Sequence, residues 1–180
     1  MPSGCKPSWG IGTLLSMAMA TGAIGSDLAA FEQTVRANTR PLYSLALSIL
    51  NNQQEAEDAV QDTMVIAWGR WHSVRDQERR PAWLKRVCVH RCLRVRRRLF
   101  AVERLSERER DPRPSPTSDP DLDRAFQHLS PHQRAVVRLH YHEGYSLDEC
   151  ATLMGCRPGT ARSHLARALA SLRLELANAE

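Results

Sequence analysis

Hydroxyl, guanidinium and imidazole side chains recur on one side of the final predicted helix. Projected at about 100° per residue, Thr160, Ser163 and Arg167 lie opposite the apolar stripe of this helix, with Arg162 and His164 at its shoulders. Arginine can read guanine through paired N–H donors, serine and threonine reach base edges or phosphate, and a helix N-terminus favours phosphate. The predicted DNA-reading set is Arg157, Thr160, Arg162, Ser163, His164 and Arg167. An amphipathic hairpin whose polar face is only solvated is the alternative.

A second candidate surface lies on a helix predicted to start near Pro81 and run towards Phe100. Between residues 79 and 98 the chain has nine basic residues and no acidic one. The projection groups an aromatic and several cations on one exposed face: Trp83, Arg86, His90, Arg94 and Arg97. Cations attract phosphates, and Trp and His can stack on unpaired bases, so this face is predicted to hold opened, single-stranded DNA. A solvated basic face is again the alternative.

A third surface has the opposite charge. Asp58, Gln61, Asp62 and Val65 are spaced i, i+3, i+4 and i+7 on one predicted helix, away from its apolar side. An acidic, partly apolar stripe suits a basic protein partner. Taken alone, it also fits an ordinary solvated helix face.

The elements that must position these surfaces are helices, because no segment shows strand-like alternation. An apolar stripe from Leu28 to Ile49 predicts a first helix, which Pro41 should kink or split. Asn52, with Glu55 three residues later, predicts the N-cap of a second helix that ends near Gly69. The third helix should bury a stripe of Leu84, Cys88, Cys92, Val95 and Leu99.

The C-terminal part has the pattern of a helix-turn-helix unit. Ser130 and Ser146 each begin a capping box, and the second box opens a short helix that ends at Gly155. Pro158 then starts the final, longer helix. A short helix, a tight glycine turn and a longer helix are typical of this DNA-binding motif.

Composition divides the chain into two small helical domains. Four of the ten residues from Asp111 to Pro120 are proline, which is linker composition. We therefore predict an all-α protein with domains at 27–104 and 121–180, a Pro-rich linker at 105–120 and a disordered N-terminal extension at 1–26. The extension resembles a weak signal peptide, and an over-long gene model that should start at Met17 or Met19 is the alternative.

The charge and the cysteines narrow the class of protein. Among 180 residues, 25 are basic and 20 acidic, and 23 of the basic residues are arginine, which points towards nucleic acid. Five cysteines without paired C-x-x-C spacing favour a reducing cytoplasm over a disulfide scaffold. No stretch reaches the roughly 18 apolar residues that a membrane span needs.

Together these segments resemble a known family. The run EAEDAVQDT at residues 55–63, continued to Trp68, resembles sigma region 2.2, with Met64 standing where the family has Phe. The segment from Trp83 resembles regions 2.3 and 2.4, and the segment from Leu129 to Ser163 resembles region 4. The chain is thus similar to sigma-70 factors of the extracytoplasmic-function type, near the actinobacterial SigE-type subfamily.

The resemblance implies a role for each surface. Asp58, Gln61, Asp62, Val65 and Trp68 would bind core RNA polymerase at the β′ clamp, and the C-terminal domain would contact the β flap. The basic third helix would capture the −10 element of promoter DNA and the final helix the −35 element. An anti-sigma factor is a further expected partner. Catalysis would belong to the polymerase, so no catalytic residue, cofactor or metal is predicted.

One departure bears on specificity. Relatives commonly carry an Asn and, four residues later, an Asp, where this chain has His90 and Arg94. An arginine in place of an acid adds phosphate affinity without sequence information, so the −10 preference should be looser or altered.

Four alternatives remain open. The first two are a sigma mimic that sequesters an anti-sigma factor and a stand-alone helix-turn-helix regulator. The third is a zinc-linked redox sensor, which would use His90 between Cys88 and Cys92, or His140 and His142 near Cys150. A metal-dependent hydrolase ranks last, because no carboxylate and histidine cluster has ligand spacing.

Overall fold

The structure of the protein is a computed structural model that describes residues 25–74, 76–103 and 120–177. Seven α-helices, a short 3₁₀ turn and a π-helical segment make up these ranges, which contain no strand. The all-α prediction is confirmed. The predicted linker lies outside the described residues except for Pro120, and the predicted extension lies outside them except for its last two residues.

The first module consists of α1 (Gly25–Leu50), α2 (Gln53–Gly69) and α3 (Arg80–Glu103), each packed against the other two. The sequence predicts that Pro41 kinks or splits α1; the split is wrong, because the helix continues through that residue, and the kink stays a prediction. Pro41 is exposed, and the Thr39 hydroxyl donates to the Val35 carbonyl at 2.7 Å in the turn before it.

The second helix begins where the sequence predicts. The Asn52 side chain accepts a hydrogen bond from the Glu55 backbone N–H at 2.9 Å, so Asn52 is the N-cap of α2. Trp71 follows α2 in the 3₁₀ turn and is buried, with its ring edge-on to Phe31 at 5.0 Å between centroids. This aromatic contact joins the end of α2 to the start of α1.

The third helix buries a wider face than the sequence predicts. Leu84, Cys88 and Cys92 are buried as expected, and Val89 and Leu93 are buried as well. The side chains of the predicted Val95 and Leu99 lie outside those the structure describes. A helix buried on such a broad arc must pack against more than one neighbour.

The second module consists of α4 (Pro120–Gln127), α5 (Pro131–Val137), α6 (Leu147–Met154) and α7 (Pro158–Ala177). Both predicted capping boxes are present, at Ser130 for α5 and Ser146 for α6. A π-helical segment, Arg138–His142, continues α5. The sequence did not predict α4, which packs against α7.

The two modules pack against each other in this structure. α3 contacts α6 and α5, and α1 contacts α5. Their buried residues form one continuous apolar cluster, which runs from Phe31 in α1 to Leu165 in α7. No helix among the described residues is both long and apolar enough to cross a membrane.

Candidate nucleic-acid interface

The helix-turn-helix unit is formed by α6, a tight turn and α7. Gly155 ends α6 in the left-handed conformation, with φ of 67°, which glycine adopts without steric cost. The backbone N–H of Cys156 donates to the carbonyl of Ala151 at 3.0 Å and closes the end of α6. The turn therefore leads into α7, which begins at Pro158 as the sequence predicts.

The α7 helix divides cleanly into a buried and an exposed side. Ala161, Leu165 and Ala168 are buried against α5 and α6. The exposed side includes four residues of the predicted DNA-reading set, Thr160, Arg162, Ser163 and Arg167, and a fifth, Arg157, is exposed in the turn just before α7. The structure thus brings these five residues together on one surface.

Two arginines on this surface have partners within the module. Arg162 donates to Asp148 of α6 at 2.9 Å, and Arg167 donates to the backbone carbonyl of Ser163 at 3.1 Å. Both contacts are exposed, so each arginine can exchange its partner for phosphate or a base edge at little cost.

His164 differs from the rest of the set. It is only half-exposed, and its ring stacks on that of His132 with 5.2 Å between centroids. Burial, followed by the charge of Arg167, lowers the pKa of His164. A neutral imidazole in this position makes a weaker phosphate contact than a protonated one.

The predicted exposed face of α3 is only partly exposed. Arg86 and Arg94 are exposed, whereas Trp83 and His90 are half-buried, so the expectation of a fully exposed face is wrong for these two residues. The side chain of Arg97 lies outside those described. For His90 the reason lies in the second module, because α6 packs along α3 and Gly155 lies against the His90 ring.

His90 faces the turn of the helix-turn-helix unit. A Cβ atom added to Gly155 would lie 2.7 Å from His90 Nε2, so the ring is in close contact with the glycine. His90 Nε2 is buried and has no hydrogen-bond partner among the residues that the structure describes. Burial, followed by the charges of Arg86 and Arg94, lowers the pKa of His90, so the ring is neutral at pH 7.

The acidic stripe on α2 is largely open. Asp58, Gln61 and Val65 are exposed, and Val65 is among the most exposed large apolar side chains described, at 52%. Asp62 forms an ion pair with Arg91 of α3. Trp68 is half-buried and lies edge-on to Phe31 at 4.9 Å. The exposed part of this stripe is therefore Asp58, Gln61 and Val65.

The cysteines are poor candidates for a metal site. Cys88, Cys92 and Cys150 are buried. A hydrogen bond with Cys88, followed by burial, raises the pKa of Cys92, and burial raises the pKa of Cys150 to about 11. Metal ligation needs the thiolate, which these conditions disfavour. In the described ranges no group of three His, Cys, Asp or Glu residues could hold a metal ion.

Sequence reasoning missed a charged cluster between the modules. Lys85 of α3 donates to Glu143, which follows the π-helical segment, with 2.5 Å between Nζ and Oε2. Arg138 lies 3.7 Å from the same carboxylate and donates to Ser44 of α1 at 3.1 Å. No local pattern in the sequence could have found these pairs, because their partners lie 58 and 94 residues apart.

Comparison with known proteins decides what kind of protein carries these surfaces. The family model for sigma-70 region 2 matches residues 34–99, and that for sigma-70 region 4 matches residues 120–172. The chain belongs to the sigma-70 family. It is an alternative sigma factor of the extracytoplasmic-function type, which directs transcription initiation, and the functional prediction from sequence is confirmed.

Similar sigma factors are found in actinobacteria. The RNA polymerase sigma-E factor of Streptomyces coelicolor is 33% identical over 155 residues, covering 81% of this chain and 85% of that protein. The ECF RNA polymerase sigma factor SigM of Mycobacterium tuberculosis is 32% identical over 153 residues, covering 83% and 78%. Members of this family are transcription initiation factors that bind core RNA polymerase and promoter DNA, and are not known as enzymes.

Two solved structures share the fold. The sigma factor RpoE, solved with the anti-sigma factor NepR from Bartonella quintana, has a TM-score of 0.63 and 27% identity, covering 81% of this chain and 96% of RpoE. CnrH, solved with the cytosolic domain of CnrY, has a TM-score of 0.58 at 23% identity, covering 93% and 97%, and supports the fold alone.

Proposed function

We propose that three surfaces of this sigma factor divide the work of initiation. The α7 surface reads the −35 element, the basic face of α3 holds the opened −10 element, and the exposed stripe of α2 binds the β′ clamp of core polymerase. The second module would also contact the β flap. Catalysis then belongs to the polymerase, and the protein acts where that enzyme is, in the bacterial cytoplasm.

The proposal rests mainly on the division of α7 into an exposed polar side and a buried apolar side. Polar and cationic side chains at Thr160, Ser163 and Arg167 are exposed together, directly after a glycine turn, while the opposite side is buried. A major groove admits such a helix, and its base edges present partners for arginine and hydroxyl groups.

The assignment of α3 rests on charge and position. Arg86 and Arg94 are exposed one above the other on the helix face that also carries Trp83 and His90. Arginines on one helix face attract the backbone of single-stranded DNA, and an aromatic ring between them offers a base a stacking surface. His90 would take part once the second module no longer covers it.

An anti-sigma factor is a further proposed partner. A solved protein of the same fold, the sigma factor RpoE, is in complex with the anti-sigma factor NepR. The exposed apolar side chains Val65 and Tyr141 would offer such a partner contact area on both modules.

Run-off transcription with core polymerase and a promoter library tests the proposal. Arg167→Ala should reduce discrimination at one −35 base pair by about 1 to 3 kcal/mol if that arginine reads a base. Arg173→Ala is the matched control, because Arg173 is an exposed arginine on the same helix and lies outside the predicted set. An equal loss on every promoter would make Arg167 a phosphate contact, and no promoter-dependent transcript at all would overturn the proposal.

Association with core polymerase tests the α2 stripe. Asp58→Asn should slow association and weaken its dependence on salt, because an exposed charge acts mainly through electrostatic steering. Asp76→Asn removes the same charge from an exposed site in the same module and is the control. Equal effects of the two substitutions would show that net charge, rather than the stripe, governs binding.

A further inference from the structure

An acidic residue of α6 lies beside the DNA-reading surface of α7. Asp148, in the first turn of α6, accepts a hydrogen bond from Arg162 Nη2 at 2.9 Å. Both side chains are more than half exposed, at 69% for Asp148 and 57% for Arg162. Asp148 is outside the predicted DNA-reading set, and an acid at a DNA-binding surface repels the phosphates that this surface must approach. The carboxylate therefore lowers the affinity for DNA in general.

The N-terminus of α6 is capped without the Asp148 side chain. The Ser146 hydroxyl accepts from the Glu149 backbone N–H, and Glu149 Oε2 accepts from the Ser146 backbone N–H at 2.9 Å. An acid in the first turn of a helix also interacts favourably with the helix dipole, but this interaction needs no arginine from another helix. The contact with Arg162 is thus what distinguishes Asp148 from an ordinary residue of a helix start.

The ion pair holds Arg162 in one orientation. Arg162 is the fifth residue of α7, and the N-terminal part of the second helix is the part that contacts base edges in a helix-turn-helix unit. An arginine has five N–H donors, so one donated to Asp148 leaves four for a base. A side chain that is already ordered loses less conformational entropy when it binds. Arg167, by contrast, donates to the Ser163 carbonyl of its own helix.

The carboxylate also disfavours contact between Arg162 and phosphate. The first helix of a helix-turn-helix unit crosses the DNA backbone, so Asp148 would lie near phosphates when α7 enters the major groove. A phosphate that binds Arg162 must approach this carboxylate, and like charges repel. A neutral base edge meets no such repulsion. The pair therefore favours base contacts, which specify sequence, over phosphate contacts, which do not.

We propose that Asp148 is a positioning residue for recognition of the −35 element, which orients Arg162 towards a base edge and disfavours its contact with phosphate. This inference rests on the proposed function of α7 and adds a residue of α6 to it. Asp148 lowers the affinity for every DNA sequence and raises discrimination at the base pair that Arg162 reads. Part of the specificity thus comes from a repulsive element rather than from an added contact.

Two substitutions of Asp148 separate its charge from its hydrogen bond. Asp148→Ala removes both, whereas Asp148→Asn removes the charge and keeps an amide oxygen to which Arg162 can donate. Asp121→Ala is the matched control, because Asp121 is an acid of the same module that pairs with Arg124 within α4, at 3.6 Å. Arg162→Ala and the double variant Arg162→Ala/Asp148→Ala complete a double-mutant cycle.

Holoenzymes assembled from core polymerase and each full-length chain are compared on a promoter library in which the −35 base pairs are varied one at a time. Discrimination is the ratio of run-off transcript from the preferred base pair to that from a disfavoured one, with the holoenzyme below saturation. The affinity of each holoenzyme is also measured for the same promoter with its −35 element scrambled, at several salt concentrations.

Arg162→Ala should lower discrimination at one base pair, which is the one that Arg162 reads. Asp148→Ala should lower discrimination at that base pair about 2- to 5-fold, or about 0.4 to 1 kcal/mol at 1.4 kcal/mol per factor of ten, because the ion pair is exposed. It should raise the affinity for the scrambled promoter by about 2- to 5-fold, and most at low salt. Asp148→Asn should raise that affinity equally and retain more of the discrimination. Asp121→Ala should change neither quantity.

The double-mutant cycle tests whether Asp148 acts through Arg162. In the Arg162→Ala background, Asp148→Ala should cause no further loss of discrimination. A loss as large as in the wild-type background would overturn the proposal. An Asp148 that only stabilises α6 would, when replaced, weaken binding to every promoter alike, and this result would also overturn it. The same holds for equal effects of Asp148→Ala and Asp121→Ala, or for an Arg162→Ala variant that discriminates as well as the wild type at every base pair.

The wild-type holoenzyme separates failure of this inference from failure of the proposed function. If the wild type discriminates among −35 sequences and Asp148→Ala discriminates equally well, the positioning role is wrong and the function of α7 stands. If the wild type transcribes all −35 sequences equally, α7 does not read this element, and the proposed function fails together with the inference.

Discussion

The contact between His90 and Gly155 gives a prediction whose magnitude can be worked from the structure. Gly155→Ala places an L-residue in the left-handed conformation, at φ of 67°, which costs about 1 to 2 kcal/mol. The new Cβ would also lie 2.7 Å from His90 Nε2 and force that ring from its rotamer, at about 0.5 to 1.5 kcal/mol more. The total cost should be roughly 1.5 to 3.5 kcal/mol, the sum of these two terms.

His90→Ala separates the two contributions. In the His90→Ala background, Gly155→Ala should cost only the backbone strain of about 1 to 2 kcal/mol, because no ring stands in the way. The coupling energy of the double-mutant cycle should therefore be about 0.5 to 1.5 kcal/mol. This coupling energy cannot exceed the free energy with which the two modules pack together, because separation of the modules also removes the clash between the new Cβ atom and His90.

Urea unfolding of the four proteins, followed by circular dichroism at 222 nm, measures this cycle. The free energy of unfolding should fall with urea concentration at the same slope in all four proteins. Differences between their unfolding midpoints then give differences in the free energy of unfolding. Additive effects, to within about 0.3 kcal/mol, would refute the reasoning, because they would mean that the two residues do not touch in the native protein.

Three further predictions concern the core, the ion pairs and the acidic stripe. Trp71→Ala should lower the free energy of unfolding by about 3 to 5 kcal/mol, because Trp71 is 1% exposed, whereas Trp71→Phe should cost less because it keeps a buried aromatic ring; both remove an indole N–H that has no hydrogen-bond partner among the described residues. Burial raises the pKa of Glu143, but the hydrogen bond from Lys85 and the nearby positive charges outweigh it, so the pKa is lowered. The Lys85–Glu143 ion pair should accordingly be fully formed above pH 4.5 and be lost as the pH falls through the lowered pKa, and the difference in free energy of unfolding between the wild type and Glu143→Gln should vanish there. Arg91→Ala should free the Asp62 carboxylate and increase the affinity for core polymerase in a binding titration. An unchanged affinity would show that Asp62 takes no part in binding the polymerase.

Features set by neighbours in the sequence could be predicted, and features set by distant contacts could not. The capping boxes at Ser130 and Ser146 are complete within four residues, and both are present. The turn at Gly155 could also be predicted, because the residues that form it are adjacent in the sequence. By contrast, the helical phase of α3 correctly separates His90 from the Cys88 stripe, but it cannot tell that α6 from the second module lies against His90.

Two other differences have physical reasons of their own. The sequence does not predict α4, because Pro120 closes a proline-rich run typical of a linker, whereas proline also favours the first turn of a helix. The predicted break at Pro41 did not occur, because burial on both sides of that residue, at Leu42, Leu45 and Val35, favours one continuous helix over the intrinsic preference of proline.

The π-helical segment between Arg138 and His142 determines the direction, about the helix axis, in which the following residues leave the helix. The Glu143 backbone N–H donates to the Arg138 carbonyl at 3.1 Å, five residues back, so this stretch holds one residue more than a regular α-helical turn. Omitting that residue would swing the chain beyond it by about 100° and carry the carboxylate of Glu143 away from α3. A deletion of a single codon here should thus separate Glu143 from Lys85, although every residue of the charged cluster is still encoded.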